Sequence, residues 1–270
     1  MPESSLETVD LLGLYKVPYV NHLSGFCEYT GQLDADQLVA GYHQLVDAAP
    51  RRHSRGKNYF VGHTGAPSTG AHSNRREEHL AMALWNWSDD HGPLPIAGAG
   101  ELTLLDYQFP LKARRGDAGV GKVDLFGVTD GKRPCVVELK IHPHGKGSSD
   151  TPLRAFLEAL AYCAIVEANV AEIAREAAES LGIDIQPVRP ALMVLAPGEY
   201  WSGYLDHPAA GDWQPALYLL AEQLRDLLGL QSHFATLGGA GFEKGLGGQK
   251  PRMTANPYLV ALETFMDSKR

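Results

Sequence analysis

Cysteine is scarce in this 270-residue chain: Cys27, Cys135 and Cys163 are odd in number, widely spaced and without a CxxC pair. That excludes a disulfide framework and a thiolate zinc site, and it suits buried thiols in a reducing compartment. Long apolar runs are missing too. Mean hydropathy is −0.20, and no stretch reaches the roughly 18 uncharged apolar residues of a membrane span. The first 25 residues hold Glu3, Glu7 and Asp10 against one lysine, Lys16. A secretory leader has the reverse pattern, so a cytoplasmic location without membrane association is expected. Several catalytic signatures are absent: GxSxG, HExxH, and a GxGxxG between strand and helix. GDAGVGK at 116–122 has Walker spacing, but Val123 stands where Ser or Thr is required and strand-like VDLFGV follows where a helix is needed.

Positive charge is in short supply, with 24 Lys and Arg against 32 Asp and Glu and a net charge of −8. Bulk electrostatics therefore argues against a protein coated in nucleic acid. The distribution is uneven: residues 1–50 sum to −6, residues 51–150 to +3 and residues 151–270 to −5. The basic middle segment carries Arg51, Arg52, Arg55 and Lys57, then Arg75 and Arg76, then Lys112, Arg114 and Arg115. At 44% hydrophobic and 21% charged, the chain is neither disordered nor fibrous, and its length buries a large core without a staple.

No internal repeat or low-complexity tract interrupts the chain. Asp34 starts a helix through Ala49 that Pro50 closes, with Leu38, Tyr42, Leu45 and Val46 on one face. A short strand is expected at 58–62, NYFVG. Ser73 or Asn74 can cap a second helix with Leu80, Ala81, Leu84 and Trp87 on its apolar side. Three strand-like segments follow at 102–110, 121–130 and 134–142, the last two joined by the hairpin signal Asp130-Gly131. A long helix is expected from Pro152 to Leu181 with a stripe of Leu153, Leu157, Leu160, Ala161 and Ala164, stopped by Gly182. A buried strand at 190–197, a helix at 214–230, a glycine-rich stretch at 236–250 and a last helix near 257–268 complete the pattern. Helix, three strands, helix, strand, helix predicts an α/β fold with a mixed β-sheet flanked by helices.

The chemistry concentrates on Asp124, Glu138 and Lys140. Asp124 lies inside the apolar run GKVDLFG, and Glu138 and Lys140 end another, CVVELKI. Alternation puts Glu138 and Lys140 on one strand face and Val137, Leu139 and Ile141 on the other. Charges in such a strand are costly unless paired or metal-bound. With Asp130-Gly131 as the central turn residues, position 124 falls near 137; a one-residue bulge would set Asp124 opposite Glu138. Two carboxylates and an ammonium would then meet at one point, which suits a divalent cation with oxygen ligands. The plainer alternative is a salt-bridged edge strand with Asp124 in a turn.

D-x13-E-x-K across a hairpin, followed by a helix, resembles the PD-(D/E)XK nuclease superfamily. The helix carries Glu158-Ala-Leu-Ala-Tyr162, similar to the QxxxY of its RecB-like branch with Glu158 in place of glutamine. An upstream helix glutamate fits Glu77, within the apolar stripe, with Glu78 at the stripe's edge as the other choice. The resemblance covers about residues 75–200. It implies a restriction-endonuclease-like core at 73–235, preceded by a helical and loop extension at 1–72 and followed by a Gly-rich segment and C-terminal helix at 236–270. It also implies a divalent-metal-dependent nuclease acting on nucleic acid, DNA before RNA, with any targeting supplied by a protein partner. Mg²⁺ or Mn²⁺ would be held by Asp124, Glu138, the Leu139 carbonyl and Glu77. Lys140 would activate water, and Glu158 and Tyr162 would position it. The alternative is a nuclease-fold protein that binds nucleic acid or a protein without cleaving. The loop at 142–150, with His142, His144 and Lys146, reads as a solvated loop or as a second place for metal or phosphate.

Overall fold

A computed structural model describes residues 9–67, 76–98, 100–129, 132–141, 150–245 and 248–267. Its helices are α1 (Leu11–Leu14), α2 (Phe26–Gln32), α3 (Ala35–Ala48), α4 (Arg76–His91), α5 (Pro152–Leu181), α6 (Gly198–Leu205), α7 (Trp213–Leu228) and α8 (Leu262–Asp267). Its strands are β1 (Leu94–Ile96), β2 (Gly100–Pro110), β3 (Lys122–Thr129), β4 (Pro134–Leu139), β5 (Ala191–Pro197), β6 (Ser232–Gly238), β7 (Phe242–Glu243), β8 (Arg252–Met253) and β9 (Tyr258–Ala261). The Asp130-Gly131 turn, the caps at Ser73 and Asn74, Arg75, and His142, His144 and Lys146 lie outside the described residues.

Seven strands close into a mixed barrel in the order β1-β2-β3-β4-β5-β6-β9, with β7 and β8 forming a separate ribbon. The meander β1 to β4 is antiparallel, and β4, β5 and β6 run parallel. Those crossovers require intervening helices, which α5 and then α6 and α7 supply. On one face Phe126, Val136, Leu192 and Val194 join a core with α5, α3 and α7. On the other, Leu125, Val137, Leu139, Met193 and Leu195 pack with Leu80, Met82 and Leu84 of α4. The predicted alternation of β4 is thus realised. No helix among the described residues is long and apolar enough to cross a membrane.

The α5 helix runs over the expected residues. Thr151 caps it by accepting the Arg154 N–H (3.2 Å), Pro152 fits its first turn, and Gly182 ends it at φ 68°. Between Pro152 and Val166 every residue is buried except Arg154 and Glu158. These charges and Tyr162 repeat every four residues, so they form one stripe on an otherwise enclosed helix.

Three expectations are corrected. Residues 58–62 form no strand, because the Tyr59 and Phe60 N–H groups go to the Glu176 carboxylate (2.9 and 2.8 Å) instead of a neighbouring chain. The last helix begins only at Leu262; Tyr258–Ala261 before it pairs with β6 and β1 as β9. The glycine-rich stretch contains the end of β6 and strand β7, whose partner β8 lies just beyond it, so a boundary at 235/236 falls inside β6.

Candidate active site

Register decides whether the carboxylates meet. Strands β3 and β4 pair Leu125 with Val137 and Phe126 with Val136, which sets Asp124 opposite Glu138. Thr129 N–H donates to the Arg133 carbonyl (3.0 Å), so three residues separate the paired ends where a two-residue turn would have shifted the strands by one. The third, Lys132, adopts φ 60°, a left-handed position usual in three-residue hairpin loops. The one-residue bulge that the site required is this longer loop.

Asp124 and Glu138 share the face of Phe126 and Val136, toward α5, and Lys140 follows on the same side. Lys140 Nζ donates to Glu138 Oε1 (2.7 Å) and Asp150 Oδ2 (3.1 Å) and lies 3.9 Å from Glu158 Oε2. Both side chains of the Lys140–Glu138 pair are 4% exposed. Tyr162 hydroxyl donates to Glu158 Oε1 (2.9 Å), so the α5 stripe is bonded within itself and reaches the lysine. A Cβ at Gly121 would collide with the Tyr162 hydroxyl, which makes this glycine a condition of the tyrosine's place. Glu77 accepts the Ile141 N–H and faces Lys140, Asp150 and Glu158. Its neighbour Glu78 instead lies near Tyr107, so Glu77 is the helix carboxylate of the site.

Two contributors escaped the sequence reading. Gln108 on β2 donates from Nε2 to Asp124 Oδ1 (3.2 Å) while the Leu139 N–H donates to Oδ2 (3.0 Å). Gln108 has φ 48°, a costly conformation for a non-glycine residue and one found at functional sites. Its signal was an amide between Tyr107 and Phe109 in an aromatic strand. Asp150 just before α5 bonds Lys140 and the Arg154 guanidinium (2.7 Å) and accepts from Asn21 (3.3 Å). Its carbonyl takes the hydroxyls of Tyr200 (2.7 Å) and Tyr204 (3.1 Å).

The electrostatics follow from burial among like charges. Desolvation lifts Asp124 to about 7, with Lys140 and the Leu139 N–H opposing and Glu77 and Glu158 adding to the rise. Glu138 is pushed well above the carboxylate range by burial and by Asp124 and Glu158, against the pull of Lys140. Glu77 is raised chiefly by burial. Burial works against the charge of Lys140, yet Glu138, Asp124, Asp150 and Glu158 outweigh it and hold the ammonium well above its usual value. Among the described residues no three His, Cys, Asp or Glu side chains form a ready metal cage; Lys140 is bonded among the carboxylates instead. The second oxygen of Glu138, Oε2, is buried without a partner among the described residues, an acceptor that a cation would satisfy.

Comparison of the chain with protein-family models, with curated proteins and with solved structures finds no match. The case for function rests on the residues themselves.

Proposed function

We propose that the chain is a divalent-metal-dependent nuclease with a restriction-endonuclease-like core, hydrolysing phosphodiester bonds of nucleic acid, DNA before RNA. The observation that carries this reading is the meeting of Asp124, Glu138, Lys140 and Glu77 at the end of β4, with Glu138 Oε2 buried and, among the described residues, unpartnered. Paired carboxylates raised by burial, and further by one another, around one ammonium are costly as architecture, and such perturbation clusters at functional sites.

Asp124, Glu138, Glu77 and the Leu139 carbonyl offer the hard oxygen donors that suit Mg²⁺ or Mn²⁺. Such an ion would polarise the scissile phosphate and lower the pKa of an attacking water. Gln108 and the Leu139 N–H hold Asp124 from both oxygens, so its orientation is set before substrate arrives. Lys140 carries a fixed positive charge to the place where phosphoryl oxygens become more negative, and its three donors can orient the nucleophile. Asp150 and Glu158 keep that ammonium from turning away, and Tyr162 anchors Glu158.

The test is cleavage of plasmid DNA, single-stranded DNA and RNA by purified protein with Mg²⁺, with Mn²⁺ and with EDTA. Metal-dependent cleavage that disappears in Asp124→Asn and Glu138→Gln is expected. Metal-independent cleavage, or wild-type rates in either variant, would overturn the reading. Binding of nucleic acid without cleavage under any metal would favour a fold retained for binding alone.

A further inference from the structure

We infer that residues 51–57 and 112–115 form one cationic surface that holds the phosphate backbone of nucleic acid away from the scissile bond. This rests on the nuclease reading for its orientation, though not for its existence. The two segments are far apart in sequence and are stapled together in the fold. The buried Arg52 donates to the Lys112 carbonyl (2.5 Å) and, through Nε, to the Asn58 carbonyl (3.0 Å). Lys57 Nζ donates to the Ala113 carbonyl (2.6 Å). Beneath them Tyr59 stacks on Phe109 with centroids 5.8 Å apart, and Phe60 packs tilted against the same ring at 5.5 Å. Arg114 and Pro50, next to Arg51, line one cleft of about 340 Å³ whose wall also carries Asp10 and Asp117, so the cationic surface is its rim on the side of Arg51.

The charge that results runs against the rest of the molecule. Residues 51–76 contain no Asp or Glu, and residues 107–123 contain one, Asp117, which Arg114 pairs with (3.1 Å). Segments 51–67 and 107–123 carry net charges of +4 and +3, leaving −15 on the remainder of a chain that totals −8. Arg51, Arg55, Lys57, Lys112, Arg115 and Lys122 are exposed, and among the described residues none is in a salt bridge. Of the carboxylates on the adjoining turns of α5, Glu176 is taken by Tyr59, Phe60 and His53 and Glu179 by Arg175; Glu172 remains on this rim. A cationic surface on an otherwise acidic protein selects where a polyanion lands and repels it elsewhere.

Position makes the surface a track. Lys122 shares the strand face of Asp124 two residues away, about 7 Å by strand rise. Lys112 lies four residues beyond Gln108, about 13 Å. Segment 50–60 follows α5, from Asn169, which donates to the Pro50 carbonyl (3.0 Å), to Glu176. Those residues stand 11 and 18 positions beyond Glu158, about 16–27 Å along the axis. At about 3.4 Å per base pair this reaches backbone roughly five to eight pairs from the site.

The probe is a 20-base-pair DNA duplex, with binding measured by fluorescence anisotropy in EDTA across a salt series. Cleavage of that duplex and of a short duplex, a hairpin with a five-base-pair stem, is measured with Mg²⁺, and hydrolysis of bis(p-nitrophenyl) phosphate reports the active site alone. The triple variant Arg55→Gln, Lys112→Gln, Arg115→Gln should bind the long duplex at least tenfold more weakly. Its log K against log salt slope should be shallower by about two to three. It should lose cleavage of the long duplex while matching wild type on the short duplex and the small diester. Unchanged affinity and slope would overturn the proposal, as would equal losses on long and short substrates. Salt-dependent binding through these residues by a wild type that never cleaves would uphold the surface and sink the nuclease reading instead.

Discussion

Replacing Lys140 by methionine removes the one ammonium from a group of five carboxylates, Asp124, Glu138, Asp150, Glu158 and Glu77, while keeping most of the apolar stem. Lys140 and Glu138 are each 4% exposed at the side chain, so solvent does not screen the loss. Breaking a buried pair by removing one partner costs about 3–5 kcal/mol. Glu138 can limit that by taking a proton, which its raised pKa already favours, so about 2–4 kcal/mol at pH 8 is expected. Unfolding entropy of about 2.1 cal/mol/K per residue amounts to about 0.57 kcal/mol/K for this chain, which puts the fall in Tm at about 4–7 °C. The sign of the pH dependence follows from the raised values. Asp124 and Glu138 bind protons more tightly folded than unfolded, so stability drops as pH rises through their folded values, about 7 for Asp124. Lys140, raised as well, stays charged across pH 5–8 and offsets that drop. Its loss should therefore be felt fully at pH 8 and much less at pH 5. Differential scanning fluorimetry without metal at both values is the assay. A variant melting within 1 °C of wild type at pH 8, or one with a larger deficit at pH 5, would refute the assignment of Lys140 as counter-ion to the cluster.

Glu158→Gln should keep measurable cleavage, because the amide still accepts the Tyr162 hydroxyl, whereas Glu158→Ala should lose most of it; equal rates in both and in wild type would remove Glu158 from the site. Gln108→Gly should relieve a left-handed strain of about 1–2 kcal/mol against about 0.5–1 kcal/mol of added chain entropy. The lost hydrogen bond to Asp124 (3.2 Å) costs about 0.5–1.5 kcal/mol more, so Tm in EDTA should change little while the Mg²⁺-induced increase in Tm shrinks. An undiminished Mg²⁺ increase in a wild-type-like background would show that Gln108 does not set Asp124.

What could be foreseen from the sequence was what local pattern determines. The extent of α5, the hairpin and the shared face of Glu138 and Lys140 follow from capping residues and alternation. The assembly of Asp124, Glu138 and Lys140 was within reach because one turn links them. Asp150 was not, since what makes it part of the site is its bonds to Asn21, Tyr200 and Tyr204, distant in sequence. Gln108 escaped for a different reason: strand alternation assumes regular backbone, and φ 48° departs from it. The false strand at 58–62 had the right composition and the wrong hydrogen-bond partner, a buried glutamate on another element. Strand β9 was hidden because its three apolar residues adjoin a helix, and only pairing with β6 and β1 separates the two.

The barrel closes at a narrow seam. β9 meets β1 through the single register pair of Leu259 and Ile96, supported by the Ala97 N–H on the Leu259 carbonyl (2.8 Å), while its other side covers the last four residues of β6. A chain cut before Tyr258 would leave both β1 and β6 as open edges, with unpaired N–H and C=O groups ready to take a strand from another molecule. Strand β9 therefore acts as a clasp against self-association, and proteolytic trimming that removed it would threaten solubility before it reached the carboxylates.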